Sequence, residues 1–227
     1  MPAPSIDSAQ PAADPLPPGE RSVGPGLLAL HSSGAVLAVG WRSLADAAAD
    51  RIAVFDPGRA LANQLLSCVE MVCPAAAWPR LQRLAVAVGP GGFTSTRITV
   101  VFARTLAQQL QLPLDGVGSQ QLVARRLDLP GPSWLVQELP RRGLVAGLYG
   151  PDPEEPGGVR EILAPRLYAD AEALTACDPA PQLPLPQDPA ADVAALLDLA
   201  QMAQRAGRSA PWQRVLPIYA SSPVAGA

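Results

Sequence analysis

Residues 84–110 read LAVAVGPGGFTSTRITVVFARTLAQQL, and the placement of this stretch decides the fold. Residues 84–88 are apolar throughout, the pattern of a strand covered on both faces. Gly89, Pro90, Gly91 and Gly92 then end the strand sharply and allow close backbone approach. Thr94 or Ser95 is expected to cap a helix. Along that helix Ile98, Val101, Phe102, Thr105 and Leu106 recur at three- and four-residue spacing as an amphipathic stripe. A glycine-rich turn at a helix N-terminus can cradle a phosphate through its amides. This one lacks the Gly-Lys-Ser/Thr of a phosphate loop and is not GxGxxG, so packing of strand, turn and helix competes with ligand binding.

Working outward, 227 residues suffice for one large domain or two small ones with a real core. The chain is 48% apolar with a net charge of -3, and all 17 of its basic residues are arginines. They are scattered, which argues against autonomous nucleic-acid binding, although Arg125, Arg126, Arg141 and Arg142 could form a local basic patch. Cys68, Cys73 and Cys177 make neither a CxxC pair nor a disulfide framework, as suits a reducing, cytoplasmic setting. No apolar run reaches the length of a membrane span, and the N-terminus lacks a classical signal-peptide pattern.

Residues 1–26, rich in proline and without periodicity, read as a disordered N-terminal extension. Residues 27–31 and 35–41 read as a hairpin and 51–55 as a third strand. A helix follows over residues 58–74, with Leu61, Leu65, Leu66, Val69 and Val72 on one side, stopped by Pro74. After the central strand and helix come a strand at 114–117 and a helix capped by Ser119 and running to 127. The second half repeats the outline. A hairpin is expected at 134–137 and 144–149, a strand at 159–163, a helix around 169–175, at most a short strand in 179–189, a helix at 190–206 and an extended tail at 215–219. The economical reading is a duplicated α/β lobe: residues 27–115 form the first and 116–227 the second, with the C-terminal helix able to pack back on the first.

Gly89-Pro90-Gly91-Gly92-Phe93-Thr94, followed by Arg97 and an apolar helix, closely resembles the GPGSFTGLR signature of the bacterial TsaB (YeaZ) family. Supporting matches spread over most of the chain after the extension. Leu28-Ala29-Leu30-His31-Ser32-Ser33 stands where that family opens with an Ile-Asp-Thr-Ser-like run, and Gln64-Leu65-Leu66 falls in its first long helix. Gly116-Val117-Gly118-Ser119 matches a strand end, and Pro217-Ile218-Tyr219 resembles the family's terminal Pro-Xaa-Tyr.

The resemblance implies an actin-like, Hsp70-like ATPase (ASKHA) fold of two RNase H-like lobes, with mixed sheets and flanking helices. It implies no cofactor, no metal and no catalytic residue of the chain's own. The implied role is that of a scaffold for a TsaD-like catalytic subunit, joined by a TsaE-like ATPase. That complex transfers a threonylcarbamoyl group to N6 of adenosine 37 in ANN-decoding tRNAs, so tRNA is met only through the complex. The helices 58–72 and 94–110 would carry the partner face, through Ala62, Leu65, Leu66, Val69, Val72, Ile98, Val101 and Thr105, and the same face can make homodimers.

Departures from the family pattern bear on chemistry. His31 replaces an acidic residue in a degenerate nucleotide-site region with Ser32 and Ser33, and imidazole is a poor Mg²⁺ ligand. Asn63 stands where a histidine is frequent, Ser95-Thr96 replaces Gly-Leu, and Leu139-Pro140-Arg141 replaces an Asp-Ala-Arg run. His31, the only histidine, has no cluster of metal-binding neighbours, and Ser32 points to the opposite face of its strand. Arg97 in the first helical turn opposes the helix dipole unless an acidic group pairs with it, so a salt bridge or a partner contact is expected there rather than catalysis. Glu154 and Glu155 are adjacent in a turn and lack acid–base geometry. Two alternatives remain open: an independent enzyme of the superfamily, either an ATP-dependent kinase or a glycoprotease-like hydrolase, and a degenerate homodimer without a role in tRNA modification.

Overall fold

A computed structural model describes residues 24–34, 36–45 and 50–220. The expected extension lies almost wholly outside the described residues. The first sheet has five strands in the order β3-β2-β1-β4-β5, with β1 Gly26–His31, β2 Leu37–Ser43, β3 Arg51–Phe55, β4 Leu81–Ala87 and β5 Leu114–Val117. β1 runs antiparallel to β2 and parallel to β4. The second sheet repeats the scheme in the order β8-β7-β6-β9, with β6 Ser133–Leu139, β7 Gly143–Pro151, β8 Val159–Tyr168 and β9 Gln182–Pro184. β6 is antiparallel to β7 and parallel to β9, so the pairing of the first four strands is duplicated. This is the mixed α/β architecture expected from the sequence.

The two faces of the first sheet differ in side-chain size. Leu28, Leu30, Val39, Leu84, Val86 and their neighbours meet α1 (Leu61–Val72) and α2 (Phe93–Leu110). The opposite face is small: Ala29, Ala38, Ala85 and Ala87 meet α5 (Pro189–Arg205) through Val193, Leu196, Leu197 and Ala200. A Cβ on Gly40 would stand 2.3 Å from Val193 Cγ1, so this strand position is glycine because a helix lies against it. α5 follows the second lobe in sequence yet covers the first sheet. In the other direction α3 (Ser119–Leu127) places Val123 and Ala124 on Leu135 and Tyr149 of the second sheet. The far face of that sheet is closed by Leu174 of α4 (Ala171–Cys177) against Trp134 and Leu148.

Several boundaries differ from the sequence reading, each for a physical reason. β4 begins at Leu81, three residues early, because Arg83 is buried and paired, whereas a charged residue reads as a strand's end. β5 runs to Val117, so the first sheet ends past the expected lobe boundary at 115. β8 continues to Tyr168 although Pro165 interrupts the pattern. It is an edge strand, and its register with β7 shifts between Ala146 and Leu148, opposite the proline, where no ladder donor is needed. Neither expected side-chain cap is made. α2 starts at Phe93 after Gly92, and α3 starts at Ser119 after Gly118, without side-chain caps.

Candidate functional site

The two lobes face each other across a cleft of about 800 Å³, lined by Ser33, Gly34 and Gly92 on one side and Gln137, Glu138 and Gln187 on the other. The glycine-rich turn forms part of its first-lobe wall. Gly91 lies so close to the β1–β2 loop that a Cβ would stand 2.1 Å from the Ser33 carbonyl oxygen. The Gly92 amide donates to that same carbonyl (2.9 Å), and the Ser119 amide donates to the Gly89 carbonyl (2.8 Å). Gly89, with positive φ, makes the turn that these bonds require. An amide that could have met a phosphate is thus already bonded to the chain's own backbone.

The hydroxyls are engaged as well. Ser32 Oγ contacts the Ser95 carbonyl (3.0 Å) and Thr99 Oγ1 (2.7 Å) on α2. Ser119 Oγ donates to Ser33 Oγ, tying α3 to the β1–β2 loop. Ser95 Oγ turns back onto the Gly92 carbonyl rather than capping forward amides.

His31 points to the face opposite Ser32, toward α5. Its Nε2 lies 3.6 Å from Asp192 Oδ2, and Asp192 Oδ1 accepts from Arg126 Nε at 2.8 Å. Burial, reinforced by the Arg126 charge, lowers the His31 pKa to about 4, so the imidazole is neutral at neutral pH and the contact with Asp192 is not an ion pair. Burial raises the Asp192 carboxyl while the Arg126 hydrogen bond and charge pull it back. Arg126 also donates to the Pro186 carbonyl, closing the entry to α5. Below the cleft, His31, Ser33, Ser119 and Asp192 surround a gap of only about 10 Å³, close to the volume that one water requires. Asp192 was not singled out from sequence, and Arg126 only as part of a local basic patch, whereas its guanidinium is spent on Asp192. The available signal was an aspartate four residues before Leu196, on the buried stripe of the last helix.

Nucleotide chemistry of the superfamily kind needs cations or free amides for the phosphates and a hard oxygen ligand for the metal. Among the described residues Glu138 is the only charged one lining the cleft, and it repels phosphate. Among the described residues no three His, Cys, Asp or Glu side chains converge as a metal site. The residues present therefore do not fit a magnesium nucleotide.

The eight residues expected at a partner face divide by burial. Leu65, Val69 and Val72 are core residues beneath α1, a correction to the sequence expectation, because the sheet below consumes that stripe. Ile98 is half-buried against the same core. Ala62, Leu66, Val101 and Thr105 are exposed, Leu66 by 49% and Val101 by 53%. Two further residues are exposed on these helices: Met71, which was not marked from sequence, and Phe93, which was marked only as part of the signature turn. Arg97 finds no acidic partner among the described residues. Its guanidinium stacks over Phe93 at 4.6 Å, and Phe93 in turn contacts Tyr219 at 4.8 Å between ring centroids. No helix among the described residues is long and apolar enough to cross a membrane.

Residues 58–136 match the family model for TsaD, tRNA N6-adenosine threonylcarbamoyltransferase, a span that includes both α1 and the glycine-rich turn. Among solved structures, YeaZ from Pseudomonas aeruginosa is similar with a TM-score of 0.66 and 22% identity, over 86% of this chain and 99% of that one. A second structure, described as an uncharacterized protein with similarity to peptidase YeaZ from Pseudomonas aeruginosa, gives a TM-score of 0.65 and 20% identity. It covers 87% of this chain and all of its own. No curated protein matches the chain. The resemblance to the TsaB (YeaZ) family drawn from sequence is thus matched in fold.

Proposed function

We propose that the chain is a non-catalytic scaffold subunit of the cytoplasmic tRNA threonylcarbamoyladenosine machinery, pairing with a TsaD-like catalytic subunit that a TsaE-like ATPase joins. The observation that carries this reading is the exposed ridge on α1 and α2, with Leu66 and Val101 about half-exposed on adjacent helices. Both helices fall in the segment that matches the TsaD family model. Apolar side chains exposed together on neighbouring helices mark an interface. The non-catalytic part of the reading is supported by the engaged Ser32 and Ser33 hydroxyls, the buried neutral His31 and a cleft whose described lining holds no cation. Net charge and scattered arginines leave tRNA recognition to the partner.

The test is to co-purify the chain with the TsaD-like protein of its own organism and assay threonylcarbamoyl transfer to tRNA with and without it. Complex formation with stimulated transfer is expected. Absence of both would overturn the proposal. ATP turnover by the isolated chain would point instead to an independent enzyme, and a stable homodimer indifferent to the partner would point to self-association as the use of this ridge.

A further inference from the structure

Beyond α5, residues 208–220 stay against the body of the molecule. The buried Arg83 guanidinium donates to the Arg208 carbonyl while pairing with Asp115 at 2.9 Å. The Leu114 amide donates to the Ala210 carbonyl (2.9 Å), covering the free edge of β5. Val215 is buried over Gly116, where a Cβ would come within 2.9 Å of Val215 Cγ1. The Ile218 amide then donates to the Val88 carbonyl (2.7 Å), at the point where β4 enters the glycine-rich turn. All of these contacts belong to the first lobe. Two residues later the Ala220 carbonyl accepts the Leu167 amide (3.0 Å), and Leu167 lies on β8, the edge strand of the second sheet.

From these contacts we infer that residues 208–220 form a strap that holds the two lobes in one relative orientation. Its length is the physical reason. Two residue steps separate Ile218 from Ala220, and an extended chain covers at most about 7 Å over that distance. A motion that carried β8 away from the base of the glycine-rich turn would have to break one of these two backbone bonds, because the link has no slack. The same two residues bracket Tyr219, which contacts Phe93 at the start of α2, so lobe orientation and the exposed end of that helix are joined by one short segment. The inference does not rest on the partnership proposed above, since every contact lies within this chain.

The test measures the separation of the lobes directly. Cys177 is exposed in the second lobe, whereas Cys68 and Cys73 are buried and burial pushes the Cys73 thiol up to about 12, so a spin label enters at Cys177. A second label is placed in the first lobe with Gln82→Cys, at an exposed position. The full chain is expected to give a single narrow interlobe distance. A chain ending at Ala220 keeps that distance, and one ending at Pro217 loses it in favour of a broad distribution. Leu167→Pro serves as the second variant. It removes only the strap's donor, because proline is tolerated on an edge strand where the amide faces outward. It is expected to broaden the distribution in the same way, and it carries the test if the shorter chain does not fold. The narrow distance persisting in folded Leu167→Pro and in the folded Pro217-ended chain would overturn the strap.

Discussion

His31 occupies the end of a completely buried strand, with Asp192 and Arg126 on the elements packed against it. In the unfolded chain its pKa is the ordinary 6.5, and in the folded chain it is about 4. Between those values the unfolded state binds a proton that the folded state refuses. Stability from this group is therefore complete above pH 6.5 and falls as the pH drops toward 4, by about 3 kcal/mol in all. Asp192, raised by burial, contributes with the opposite sign, so the His31 part is isolated by comparison with His31→Gln. Urea unfolding at pH 7.5 and pH 5 is expected to show a larger loss for the native chain than for the variant; equal losses would refute the buried, neutral imidazole. Arg126→Met leaves Asp192 buried without its cation and is expected to cost roughly 3 kcal/mol at neutral pH, read by the same unfolding measurement.

The helices illustrate how far a sequence stripe can be read. Periodicity on α1 marks Leu61, Leu65, Leu66, Val69 and Val72 as one apolar side, but a single sheet face takes up Leu65, Val69 and Val72 and leaves Leu66 outside. Val69→Glu is accordingly expected to destabilise by at least about 3 kcal/mol, as burial of an unpaired charge does. Leu66→Glu is expected to leave stability within about 0.5 kcal/mol while abolishing association through the α1–α2 face. Thermal melting paired with size-exclusion analysis separates the two, and unimpaired association of Leu66→Glu would move the interface elsewhere. On the opposite face of the sheet, α5 approaches over alanines and Gly40. Gly40→Ala is expected to cost about 1–3 kcal/mol through overpacking against Val193, measurable by denaturant titration. Sequence periodicity identifies α5 as a helix but carries no information on which lobe it covers.

For the whole molecule, residues 189–220 do most to join the halves: α5 covers the first sheet, and the tail bonds both sheets. Arg83 anchors that arrangement by joining β4, β5 and the tail, with its partner carbonyl 125 positions away in the chain. Arg83→Met is expected to cost roughly 2–4 kcal/mol and to loosen the tail, seen as faster exchange of the Ile218 amide. The order of strands and helices, the duplicated hairpin-strand-helix plan and the glycine-rich turn were legible because they depend on local periodicity, turn residues and proline placement. Those signals act over a few residues, and they also carry the resemblance to the TsaB (YeaZ) family. The site was only partly legible. His31, Ser32 and Ser33 could be marked, but their partners Asp192, Ser119 and Thr99 lie 67 to 161 positions further along, where nothing local announces the pairing. By itself the sequence determined which segments become strands and helices, and that the central turn must pack closely. Only the tertiary structure decided that the turn's Gly92 amide meets Ser33 rather than leaving room for a phosphate, that Leu65, Val69 and Val72 of the expected partner stripe are core, and that the tail links the lobes. The reason is that each of these outcomes depends on which distant backbone or side chain arrives first at a shared atom or surface, and that competition is settled by packing.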